Sequence, residues 1–144
     1  MLDIENVNHI GIRVRDKTKS VTFYHLLGFE QTMDAGFEEG HPVIMQHPCG
    51  VVLNLLGPAP SPSTSNVLMD LDEKHPGIIH FALTVTSLEQ AKVFLSDEGI
   101  ELTGSFSFGR MSAVFIRDPD RNVIELDAYD SNTREDMEGY SNHL

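Results

Sequence analysis

The chain has 144 residues, 40% of them hydrophobic and 22% charged, enough for one globular domain whose core needs no disulfide or structural metal. Ten basic against 22 acidic residues leave a net charge of −12, which repels phosphate backbones and argues against nucleic-acid partners. No apolar run reaches the roughly 18 residues of a membrane span, Met1-Leu2-Asp3-Ile4-Glu5 lacks the features of a signal peptide, and Cys49 is the single cysteine, so no membrane partner and a cytoplasmic setting are expected.

Over 8–15, Ile10, Ile12 and Val14 alternate with His9, Gly11 and Arg13, the period-2 pattern of a half-buried strand. Asp16 is placed to cap a helix over 18–27 with Val21, Tyr24 and Leu27 on its apolar side, and Gly28 suits its end. Three strands are predicted at 30–34, 42–47 and 51–56, the last two separated by the Pro48-Cys49-Gly50 turn. Residues 57–77, with Pro58, Pro60 and Pro62, read as a linker, although Val67-Leu68-Met69 is apolar enough to pack. A strand at 79–86 follows, then a helix over 88–97 with Ser87 and Gln90 as a capping box. Strands at 101–105, 112–117 and 122–128 complete the pattern, with Asp118-Pro119-Asp120 as the last turn. The polar residues from 130 to 144 read as a tail.

The second half repeats the first. Shifted by 71, His9 falls on His80, Val14 on Val85, Phe23 on Phe94, Gly28 on Gly99, Phe37 on Phe108 and Val52 on Val123. The overlay gives 11 identities over the 47 columns from 9 to 55, against about three for ordinary composition. The expected architecture is therefore α+β, two tandem βαβββ modules in one domain, module 1 over about 6–56 and module 2 over about 78–129.

Strand parity sorts the side chains. Phe81, Leu83 and Val85 should face the helix of module 2, leaving His80, Ala82 and Thr84 on the other face, together with Val123, Glu125 and Asp127. In module 1 the same face carries His9, Gly11, Arg13 and Asn54. His9 to Asn54 and His80 to Glu125 are both 45 residues apart. Two imidazoles and a carboxylate form a triad that binds divalent ions and leaves coordination positions open for a substrate. His9, His80 and Glu125 are the expected metal ligands, and Fe, Mn, Ni, Co and Zn all suit such a set.

The segments NHIGIRVRD, FYHLLGFE, GIIHFALTV and FIRDPDRNVIELDAYD resemble the vicinal oxygen chelate superfamily, which includes glyoxalase I, extradiol dioxygenases, fosfomycin-resistance enzymes and bleomycin-binding proteins. The resemblance covers roughly residues 6–129. It implies paired βαβββ modules forming an incomplete barrel around a divalent metal, with a small-molecule substrate held through vicinal oxygens, and a homodimer. The modules could pair within one chain or across two. Asn54 stands where glyoxalase-like members carry Glu or Gln, and Asn cannot act as a base. That favours dioxygenase- or resistance-enzyme-like chemistry, with Glu125 as ligand and proton carrier. The alternatives are a lactoylglutathione lyase-like isomerase and a metal-free drug binder. Arg13, Asn54, Phe108, Arg110 and Tyr129 are the expected substrate contacts, with Phe106, Phe108, Arg110 and Met111 in a loop entering a late strand. Arg121 occupies a turn position where the family usually has Gly.

Overall fold

The computed structural model describes residues 1–60 and 64–129, so the tail predicted over 130–144 lies outside the described residues. The chain divides into two compact units, Met1–Thr64 and Ser65–Leu144. Unit 1 contains β1 (Ile10–Arg13), α1 (Lys17–Leu26), β2 (Glu30–Asp34), β3 (Val43–Gln46) and β4 (Val52–Leu56). Unit 2 contains β5 (His80–Thr84), α2 (Leu88–Asp97), β6 (Gly104–Phe108), β7 (Met111–Arg117) and β8 (Val123–Tyr129). The strand orders are β1-β4-β3-β2 and β5-β8-β7-β6. In each sheet the first and last strands of the module run parallel and the other neighbours antiparallel. The repeat seen in the sequence is thus a repeat of one βαβββ topology. Among the described residues no helix is long and apolar enough to cross a membrane.

Equivalent residues build equivalent elements. Asp16 caps α1 by accepting a hydrogen bond from the Lys19 amide at 3.0 Å, and Ser87 caps α2 by accepting one from Gln90 at 3.3 Å. Each satisfies an amide that the first helical turn leaves unpaired. Gly28 and Gly99 follow the helices at φ 92° and 68°, where a side chain would be strained. Tyr24 of α1 and Leu95 of α2, at the same repeat position, are the fully buried large apolar residues of the two helices. Also buried are Ile12, Val14, Phe29, Val43, Leu53 and Leu55 in unit 1, and Val114, Ile116, Ile124 and Leu126 in unit 2.

The modules part company at the hairpin between their second and third strands. β6 runs over Gly104–Phe108 rather than the predicted 101–105, and pairs with β7 as far as Phe108 opposite Met111. Gly109, at φ 59°, opens the two-residue loop, the glycine position of a tight hairpin turn. Phe106 and Phe108 are therefore strand residues, and Arg110 and Met111 are the turn and the start of β7. In unit 1 the same stretch leaves the sheet, because Gly36 and Gly40 adopt φ 111° and 85° around a short 3-10 turn, Phe37–Glu39. Asp34 anchors it, accepting from the Gly36 and Phe37 amides. Phe37 then turns inward, against Gly57, where an added Cβ would run into the ring.

Part of the predicted linker is built into unit 2. Asn66 folds a turn, its side-chain oxygen accepting from the Leu68 and Met69 amides. Asp70 receives two hydrogen bonds from the Arg121 guanidinium, at 2.7 and 3.0 Å, and lies 3.3 Å from Arg117. Arg121 holds φ 64°, a conformation that costs a side-chain residue more than glycine. Its repeat counterpart is Gly50, at φ 98°. The bidentate ion pair gives the arginine a role that glycine cannot fill.

Candidate functional site

In unit 2, His80 opens β5 and Glu125 lies on β8. The parallel register sets His80 beside Val123 and Ala82 beside Glu125. Neighbours in register share a face of the sheet, so His80 and Glu125 are diagonal neighbours on the face away from α2. Their side chains meet: His80 Nε2 is 3.0 Å from Glu125 Oε2. The carboxylate side chain is 12% exposed and the imidazole 36%. The Phe115 ring, from the residue opposite Glu125 on β7, stands edge-on to the imidazole at 6.2 Å and 85°.

In unit 1, His9 immediately precedes β1 and is exposed, with its Nδ1 2.7 Å from Asn8 Oδ1. Asn54 pairs with Gly11 on one side and Ile44 on the other, the place Glu125 takes between Ala82 and Phe115. Arg13 is exposed at the end of β1, opposite Leu56. Among the described residues no three His, Cys, Asp or Glu side chains gather into a metal-holding group; of the expected ligands, His80 and Glu125 approach each other within unit 2.

The His80–Glu125 pair suits a divalent ion. One nitrogen and one carboxylate oxygen converge from adjacent strands, and 3.0 Å is about the separation of two ligands in neighbouring coordination positions at bond lengths near 2.1 Å. Without the ion the two atoms stand at ion-pair distance. Imidazole with carboxylate is a borderline donor set that accepts several first-row metals.

Two further residues of this face were not assigned a role from sequence. Phe115 belongs to no motif of the sequence, and the β7–β8 register is what sets it beside the imidazole. Asp127, two residues after Glu125, is 7% exposed. It lies in the row Thr84–Asp127–Ala113. Tyr129 ends the row series opposite Met111, which faces Phe108. Burial, followed by the charges of Asp127 and Glu125, pushes the Tyr129 phenol above its ordinary range, so its hydroxyl stays a donor.

A groove of about 750 Å³ in unit 2 is lined by the start of α2 and by residues of β5 to β8, Thr84 and Ala113 among them. Phe106 and Tyr129 line it with the hydroxyls of Ser87, Ser105, Ser107 and Ser112. Phe108 and Arg110 are not among its lining residues, and neither are His80 and Glu125. Phe108 is 76% exposed at the end of the edge strand.

The model of the Glyoxalase/Bleomycin resistance protein/Dioxygenase superfamily matches residues 6–126. A glyoxalase domain-containing protein, RDO1, of Mycosarcoma maydis is 27% identical over 140 residues, spanning 89% of this chain and 70% of the relative. The fold is shared with a glyoxalase family protein from Enterococcus faecalis, at TM-score 0.69 and 23% identity over 85% of this chain and 97% of that one. It is also shared with a glyoxylase/bleomycin resistance protein/dioxygenase domain from Frankia sp. EAN1pec, at TM-score 0.72 and 18% identity over 90% and 95%. A lactoylglutathione lyase from Agrobacterium tumefaciens matches at TM-score 0.64 and 18% identity over 87% and 94%. With two tandem βαβββ modules and a family match across both, the chain belongs to the Glyoxalase/Bleomycin resistance protein/Dioxygenase superfamily.

Proposed function

We propose that this protein is a divalent-metal-dependent enzyme that holds a small substrate through two adjacent oxygens, with His9, His80 and Glu125 as the metal ligands. The observation that carries the reading is the 3.0 Å approach of His80 Nε2 to Glu125 Oε2, on the sheet face whose counterpart in the repeat carries His9 and Asn54. When bound, the metal supplies Lewis-acid polarisation of the substrate oxygens. Phe115 holds the His80 ring upright. Glu125 accepts or returns a substrate proton through its second oxygen. The Tyr129 hydroxyl, kept protonated, donates to substrate oxygen, and Arg13 attracts a substrate carboxylate.

Asn54 supports dioxygenase- or resistance-enzyme-like chemistry over isomerisation. An amide has no basic oxygen to exchange protons with, and it is one methylene shorter than the Glu or Gln of glyoxalase-like relatives. The lactoylglutathione lyase among the structural relatives keeps isomerisation as the second reading, with Glu125 as the proton carrier. A homodimer in the cytoplasm completes the proposal.

Elemental analysis of protein purified without chelator tests it, alongside His9→Ala, His80→Ala and Glu125→Ala. About one equivalent of Fe, Mn, Ni, Co or Zn per site, lost in all three variants, is the expected result. Folded protein that takes up none of these ions would sink the catalytic reading and favour a metal-free binding module.

A further inference from the structure

We propose that Asp127 is a specificity-determining residue of the same site, which takes a hydrogen-bond donor, ammonium or hydroxyl, on the substrate carbon next to the chelating oxygens. The inference rests on the functional reading above.

Asp127 is 7% exposed, and its Oδ1 is buried without a hydrogen-bond partner among the described residues. A buried carboxylate oxygen with no donor loses its hydration for nothing in return, so such atoms are rare and call for a function. The register puts Asp127 on the face of His80, Glu125 and Phe115, one row along from Glu125 and between Thr84 and Ala113. One row is two residues of strand, about 6.8 Å. A substrate oxygen near Glu125 and a donor on the neighbouring carbon fall within reach of both carboxylates. Ala113 and Thr84 on either side are small residues, and both line the groove of unit 2.

The repeat supplies the control. The counterpart of Asp127 in module 1 is Leu56, at the same end of β4 and beside Arg13. The fold therefore accommodates an apolar residue of similar size at this place, and the carboxylate is not something the topology demands. Residues that weaken the fold without structural return tend to serve function.

Three probes share one chelating head and differ only at C3: lactate carries a methyl, glycerate a hydroxymethyl and isoserine (3-amino-2-hydroxypropanoate) an aminomethyl group. Their binding is measured by NMR titration of wild type, Asp127→Leu and Asp127→Asn, each with and without Mn(II). Wild type is expected to prefer isoserine and glycerate over lactate by about tenfold, the usual effect of a hydrogen bond to a charged group. Asp127→Leu should lose that preference and keep its lactate affinity within about threefold, while Asp127→Asn should keep the hydroxyl preference and lose the ammonium one.

Thermal unfolding of the metal-free proteins gives a second readout. Asp127→Leu should melt a few degrees higher than wild type, because an unpaired buried carboxylate is gone. An equal preference in wild type and Asp127→Leu, no preference in wild type with or without Mn(II), or a lower melting temperature for Asp127→Leu would each overturn the proposal. Failure of the metal reading looks different: Mn(II) then has no effect on any titration, whereas the donor preference still tracks residue 127.

Discussion

Phe37 and Phe108 stand 71 residues apart at the same place in the repeat, yet Phe37 is 2% exposed and Phe108 76%. The rings are identical, so their neighbours decide. In module 1, Gly36 adopts φ 111° and redirects the chain into a 3-10 turn, while Gly57 leaves a gap that the Phe37 ring fills. The corresponding residues in module 2 are Ser107 and Ala128. Serine resists the left-handed backbone, and the alanine Cβ stands where the ring would go. The chain of module 2 therefore stays extended as a hairpin, Phe108 remains outside, and the hydroxyl-lined groove stays open between α2 and the sheet. A duplicated module can keep its topology while two small residues decide whether its flank is sealed.

Removing the ring from each side breaks this comparison most directly. Phe37→Ala should lower stability by about 3–5 kcal/mol in chemical denaturation, the range for a buried aromatic truncated to alanine. A loss below about 1 kcal/mol would mean that the 3-10 turn does not seal the core.

The turn before the last strand offers the next contrast, Gly50 against Arg121. The Arg121 guanidinium, by its hydrogen bonds, holds the Asp70 carboxyl well below the usual carboxylate range. A carboxyl lowered on folding contributes stability above its unfolded pKa of about 3.9, and loses it as pH falls through the lower folded value. Asp70→Asn should therefore be less stable than wild type at pH 7. The gap should hold down to about pH 4 and close only in stronger acid. A gap that already closes between pH 7 and 5 would show that another group controls it.

Gly36→Ser writes the module 2 residue into module 1, and should cost about 1–2 kcal/mol for the strained backbone. The equivalent caps come next: Asp16→Ala should cost about 1 kcal/mol, and Ser87→Ala, with its longer bond, about 0.5 kcal/mol. The smallest effect belongs to Phe108→Ala, expected within about 0.5 kcal/mol of wild type. A larger loss would mean that this exposed ring is covered in solution, and sedimentation of the variant would then report whether a second copy covers it.

Much of this molecule can be read from short-range pattern. The alternation around Ile10, Ile12 and Val14, the caps at Asp16 and Ser87 and the glycines after both helices depend on residues within a few positions of one another. Local backbone preference is enough to fix them. The 71-residue repeat then determined the βαβββ topology twice over, and parity put His80 and Glu125 on one face. What only the tertiary structure decided is who stands opposite whom, from Phe108 and Met111 in a tight hairpin to Asp70 and Arg121 far apart along the chain. The β7–β8 register set Phe115 at the His80 imidazole, and the hairpin pairing moved β6 to Gly104–Phe108. A turn inside an expected linker brought Asp70 to Arg121, and the packing around the end of β8 buried an oxygen of Asp127 without a donor. Periodicity tells which face a side chain takes, because the backbone imposes it residue by residue. Who stands opposite, and whether water reaches between them, is set by strand register and by how the loops, short and long, close the chain on itself.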